Sequence, residues 1–169
     1  TGLEEYQAGD FDKAKAEFER RLQAAPGSDK LHFNAGAASY KLGDFPKAVD
    51  HFTKALLSDD QRLQEDASYN LANSLVRRGE AAKGNEEKKA DWNNAIQHYT
   101  EALNLDRKNK QAEENRDIVK KMIEDEDYEL PKGPRAEVLA ALAYFANPED
   151  LIPDQVPGLG FLDDAIMIK

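Results

Sequence analysis

Gly9-Asp10-Phe11-Asp12-Lys13-Ala14 returns as Gly43-Asp44-Phe45-Pro46-Lys47-Ala48, a step of 34 residues from Gly9 to Gly43. Each copy opens a helix in which an alanine and an aromatic residue lie four apart on one face: Ala14 with Phe18, then Ala48 with Phe52. A third such pair, Ala95 with Tyr99, follows 47 residues after the second, 13 more than the period. Two of the extra residues, near Gln61 and Arg62, are expected to lengthen the loop between the second and third repeats. The other eleven, Glu80 to Ala90, fall between the turn glycine Gly79 and Asp91-Trp92-Asn93-Asn94-Ala95, which restarts the phrase. Recurrence at this interval is the mark of a helix-turn-helix unit that buries its apolar face by stacking on its neighbours.

The period and the A-x-x-x-F element resemble the tetratricopeptide repeat. The resemblance implies an all-α solenoid of about three repeats plus a capping helix, whose A helices line a concave groove that holds other proteins. In that register residues 1–8 are the tail of a first helix A, and Thr1 falls at about the seventh position of a repeat, so the first helix is expected to be short. Asp10 or Phe11 to Ala24 is the first helix B, stopped by Pro26-Gly27. Residues 29–42 and 45–58 form the second repeat, with Gly36 at a small-residue position where the paired helices approach. Leu63 to Arg78 and Asp91 to Leu105 form the third, and Lys108 to about Glu124 caps the stack. The insert is rich in Ala, Lys and Glu. Both flanking helices should therefore extend by one or two turns and reverse at Lys83-Gly84-Asn85, as a solvated hairpin tip.

Composition narrows the function classes. The 169 residues are 40% hydrophobic and 33% charged, with a formal net charge of −10. That charge disfavours a phosphate backbone as partner, so no nucleic acid is expected. No stretch resembles a membrane span; the longest weakly charged one, Val138 to Pro148, is too short. Without cysteine there are no disulfides, thiolate metal sites or cysteine nucleophiles, and the compartment stays open between bacterial cytoplasm and periplasm, with or without membrane association. No P-loop, G-x-S-x-G or H-E-x-x-H occurs, and Gly158-Leu159-Gly160 lacks the strand a nucleotide loop needs. His32, His51 and His98 have no metal-site spacing and read as structural; His51 and His98 share a repeat position rather than a cluster. Trp92 and the helix B aromatics read as core. No enzyme activity and no cofactor are expected.

Positions 2, 6, 9 and 13 of each helix A share one face. They hold Lys30, Asn34, Ala37 and Lys41 in repeat two; Asp66, Asn70, Asn73 and Arg77 in repeat three; Gln111, Asn115, Ile118 and Met122 in the cap. Position 6 is asparagine each time, and an amide can both donate to and accept from the backbone of an extended peptide. The row resembles the asparagine ladder of peptide-binding tetratricopeptide proteins, which implies Lys30, Asn34, Lys41, Asn70, Asn73, Arg77, Gln111 and Asn115 as peptide-binding residues. The other reading of these amides is that they satisfy neighbouring helices of the stack. The family's clamp for a C-terminal carboxylate is met at Lys30, Asn34 and Asn70, but Gln111 and Asn115 stand where its last cations belong. Starting one repeat earlier, Asp66 and Asn70 replace them. The long third repeat and its cap also resemble tetratricopeptide proteins encoded beside von Willebrand A-type partners in bacterial stress operons, which would imply envelope assembly.

After Asp125-Glu126-Asp127 the repeat pattern ends, and Pro131, Gly133 and Pro134 mark a linker at 127–134. The division is a solenoid with its cap at 1–126 and a helical hairpin at 135–169. In the latter Tyr144, Pro148, Asp150, Leu151, Ile152, Pro153, Asp154, Pro157, Gly160, Asp163 and Asp164 resemble the signature of the YkvA-like family, bacterial helical domains of unknown function that are often membrane-associated. The prolines and glycines force a turn between two apolar helices, and the aspartates suit helix starts. An alternative gathers Asp150, Asp154, Asp163 and Asp164 around a hard cation such as Mg or Ca. The apolar face of Arg135 to Ala146 could meet a bilayer, the repeat stack or a second chain; without a basic cluster beside it, a protein surface is favoured. The expected function is a non-enzymatic scaffold that binds a partner peptide or helix in the groove. Its rival is a metal-binding or membrane-associated activity of the hairpin, recruited by the repeats.

Overall fold

The structure, a computed structural model, describes residues 1–124. The linker, the hairpin and the four aspartates Asp150, Asp154, Asp163 and Asp164 lie outside the described residues. Within them the chain is all-α: α1 (Gly2–Gln7), α2 (Phe11–Ala24), α3 (Asp29–Lys41), α4 (Phe45–Ala55), α5 (Gln61–Ala81), α6 (Asn85–Leu105) and α7 (Lys110–Glu124), with no strand among the described residues. Each helix packs on the next in chain order, and α3 also touches α5. This is the nearest-neighbour stacking of a solenoid, with α1, α3, α5 and α7 as A helices and α2, α4 and α6 as B helices.

The repeated letters build the core. Ala14, Ala48 and Ala95 are wholly buried, as are Phe18, Phe52 and Tyr99 one turn later. Each aromatic ring so enclosed contributes on the order of 2 kcal/mol of hydrophobic stabilisation. A Cβ on Gly36 would stand 3.0 Å from the Phe52 ring, so the missing side chain is what lets α3 lie close on α4. Phe33 meets the same ring edge-on at 5.4 Å.

The insert behaves as its composition requires. α5 runs on to Ala81, α6 begins at Asn85, and the chain reverses through Ala82-Lys83-Gly84. Three boundaries differ from the sequence expectation. Gln61 and Arg62 do not lengthen the loop: Asp60 Oδ1 accepts from Arg62 N at 2.9 Å and Leu63 N at 3.4 Å, so they become the first turn of α5. α4 stops at Ala55 rather than residue 58, where Leu57 N and Ser58 N turn back onto the carbonyls of Lys54 and Ala55. α7 starts at Lys110 rather than Lys108, with Asn109 Oδ1 accepting from Ala112 N at 2.9 Å.

Candidate functional site

The A-helix face begins with α3. Ser28 caps this helix through Leu31 N, and Lys30 lies half-buried in its first turn. One turn on, Asn34 is 8% exposed and its Nδ2 has no hydrogen-bond partner. Buried amide donors without partners are uncommon, because each costs about 1–3 kcal/mol in lost hydration. Lys41 closes the helix with its ammonium 5.5 Å from the centre of the Phe11 ring, on the preceding helix B.

On α5 the matching positions carry other chemistry. Burial, reinforced by the charges of Glu65 and Asp60 and opposed by Arg62, pushes the Asp66 carboxyl up to about 7. Asn70 donates from Nδ2 to the Asp66 carbonyl oxygen at 2.8 Å, which commits one of its two N–H donors and leaves Oδ1 as an acceptor it can offer. Arg77 repeats the device of Lys41, its guanidinium 5.2 Å over the Phe45 ring, with Nε 3.3 Å from Glu80 Oε2. Gln111 on α7 is exposed.

Asn73 and Asn115 depart from the expected row. They are 1% and 3% exposed, inside the packing of α5, α6 and α7. Asn73 Oδ1 accepts from Tyr99 Oη at 2.6 Å and from Asn115 Nδ2 at 3.4 Å, while Asn115 Nδ2 also reaches Tyr69 Oη at 3.1 Å. Asn73 Oδ1 and Asn115 Nδ2 are thus engaged within the stack. The letters held a signal for this: repeat two pairs Ala37 with Phe52, and repeat three replaces both by polar residues, Asn73 and Tyr99. A buried tyrosine hydroxyl needs a partner, and position 9 is where it finds one.

The histidines hold positions within the stack, and two of them meet. His32 and His51 are both buried, with their Nδ1 atoms 3.1 Å apart, so His51 belongs to a pair that repeat spacing did not show. His98 stands apart, its Nδ1 2.7 Å from Glu101 Oε2. Trp92 is half-buried, its Nε1 donating to the Val76 carbonyl oxygen at 3.3 Å. Among the described residues no helix is long and apolar enough to cross a membrane. The arrangement that remains on the A face is Lys30, Asn34, Asp66 and Asn70, flanked by Lys41, Arg77 and Gln111.

Comparison with known families agrees with the geometry. Residues 1–62 and 40–84 match the family model described as tetratricopeptide repeat. Residues 135–169 match one described as a protein of unknown function (DUF1232). No curated protein matches the chain.

Proposed function

From a chain that carries tetratricopeptide repeats over residues 1–84 and a domain of unknown function over 135–169, we propose a non-enzymatic scaffold that grips an extended segment of a partner protein along its A helices. Tetratricopeptide repeats generally mediate protein–protein interaction. The observation that carries the finer reading is the buried, partnerless Nδ2 of Asn34. A donor held dry and unsatisfied is prepared for a backbone carbonyl arriving from outside, and Asn70 Oδ1 on the next A helix is the complementary acceptor for a backbone N–H. Lys30, Lys41 and Arg77 add positive charge along the same face, and Asp66, its carboxyl pushed up to about 7, is only partly ionised there at neutral pH.

The test uses peptides selected from a random display library against the full chain, with affinity read by fluorescence anisotropy. Asn34→Ala with Asn70→Ala should weaken the selected peptides by tenfold or more, the equivalent of about 1.4 kcal/mol. Asn34→Ala alone should leave the thermal midpoint of the free protein unchanged or higher, since it removes an unsatisfied donor. Unchanged affinity in the double variant overturns groove binding; a large loss of stability in the single variant would show that Asn34 serves the stack.

A further inference from the structure

His32 on α3 and His51 on α4 face each other inside the second repeat, and the hydrogen-bond logic of the pair is determined. His32 Nε2 lies 3.0 Å from the Pro26 carbonyl oxygen. A carbonyl only accepts, so Nε2 carries the proton and, in the neutral ring, Nδ1 is bare. That bare nitrogen is 3.1 Å from His51 Nδ1, which must therefore carry a proton and donate it. The fourth nitrogen, His51 Nε2, is then an unprotonated acceptor. It is buried without a hydrogen-bond partner, and Glu19 Oε1 on α2 stands 3.8 Å away.

We propose that His32 and His51 form an acid-sensitive latch, which closes α3 on α4 while both rings are neutral and releases the second repeat when the pair takes up protons.

Two protonation steps have different consequences. The first proton enters at His51 Nε2; the Nδ1 to Nδ1 bond survives, and the new N–H is directed to Glu19. The second must go to His32 Nδ1, which sets two N–H groups against each other at hydrogen-bond distance and leaves two cations in a buried space. The charges acting on His51 come from Glu19 on α2, His32 on α3, and Asp50 and Lys54 on its own helix; none of these is from α5. Asp29 and Asp59 border the cleft that His32 shares with Lys54. Burial first, then the charge of His32, holds the His51 proton affinity below that of a free imidazole, against the pull of Asp50 and Glu19. The unfolded chain thus binds more protons below a pH of about 6.5, so the stability contributed by the neutral pair is whole above that pH and is lost as pH falls through the folded value. Because α3 carries Lys30 and Asn34, release would also slacken the proposed groove; that consequence rests on the groove reading, while the latch does not.

The experiment uses the full chain and needs no partner. Long-range proton–nitrogen NMR at pH 7.5 should find His32 as the Nε2–H tautomer and His51 as the Nδ1–H tautomer; the same tautomer in both rings overturns the proposal. Thermal midpoints are then compared at pH 7.5 and pH 5.0. His51→Gln should show at most half of the acid-induced fall seen in the natural chain, and an equal fall overturns the latch. Glu19→Gln, on a partly exposed site, keeps the test decisive if His51→Gln does not fold. It removes the carboxylate that His51 Nε2 faces once protonated, so the folded pair accepts its first proton less readily and amide protection of α3 and α4 should fail at a higher pH than in the natural chain; an unshifted pH overturns the proposal.

Discussion

Between the second repeat and the third, Gly43-Asp44-Phe45 becomes Gly79 and, after eleven inserted residues, Asp91-Trp92, and each of these side chains changes its task. Gly43 has a φ of 74°, in the left-handed region, and a Cβ there would meet nothing within 4 Å. Its role is conformational. Gly79 lies inside α5, and a Cβ on it would fall 2.8 Å from Trp92 Cδ1. Its role is spatial. Asp44 caps α4 through Lys47 N at 3.3 Å and pairs with Lys15 of α2 at 2.8 Å. Asp91 sits well inside α6, where the backbone N–H groups are already bonded, and both its oxygens turn to Arg78, at 2.8 and 2.6 Å. The same letters at the same repeat positions thus serve a tight turn in one place and a helix-to-helix clamp in the other. The insert made the difference by extending two helices through the turn.

The largest break in this comparison should come from Arg78→Met. The Asp91 side chain is 11% exposed, and the substitution leaves its carboxylate buried without its ion-pair partner, a loss of about 3 kcal/mol. Leu42, at the matching place in repeat two, has no such partner to strand, and Leu42→Met should stay within about 0.5 kcal/mol. Urea denaturation of the two variants measures both, with amide exchange in α5 and α6 locating the loss. Equal effects would mean that the clamp contributes nothing beyond the turn it replaced.

Asparagine in place of each glycine sharpens the contrast. It tolerates a left-handed backbone, so Gly43→Asn should cost about 0.5 kcal/mol, whereas Gly79→Asn must displace the indole and should cost about 2 kcal/mol. The Trp92 fluorescence of the second variant should shift with the ring, and that of the first should not. If Gly43→Asn proved the costlier, the two glycines would not differ as the geometry requires.

What could be read in advance follows the same division. Period, apolar face and turn chemistry are properties of one chain segment, so Phe18, Phe52 and Tyr99, the close approach at Gly36 and the reversal after Ala82 were all legible. Side-chain pairing across helices is legible only where two letters change together, as Ala37 and Phe52 become Asn73 and Tyr99. Position 9 lies at the edge between the groove and the neighbouring helices, and whether Asn73 faces out or in depends on how α7 closes over α5. His32 and His51, 19 residues apart, bear no repeat relation; only the crossing of α3 and α4 brings their rings together. The end of a loop was equally obscure, since Asp60 can either extend the connection or cap the next helix, and the free N–H groups of Arg62 and Leu63 decide for capping.

The finest contrast is between the polar pair of repeat three and the apolar pair it replaces. Tyr99→Phe removes the hydroxyl that donates to Asn73 Oδ1 at 2.6 Å, while the longer contact from Asn115 at 3.4 Å remains. The expected cost is about 1.5 kcal/mol, because a buried acceptor loses its better partner without regaining water. Adding Asn73→Ala recreates the Phe52 and Ala37 arrangement of repeat two. It removes the stranded oxygen, and Asn115 Nδ2 keeps Tyr69 Oη at 3.1 Å. The double variant should therefore regain at least half of the loss, which a double-mutant cycle on the urea midpoints would show as a coupling of about 1 kcal/mol. Additive losses would place the energy of this site in packing volume rather than in the hydrogen bond, and the Tyr99 and Asn73 pair would then be an alternative filling of the core rather than a lock between α5 and α6.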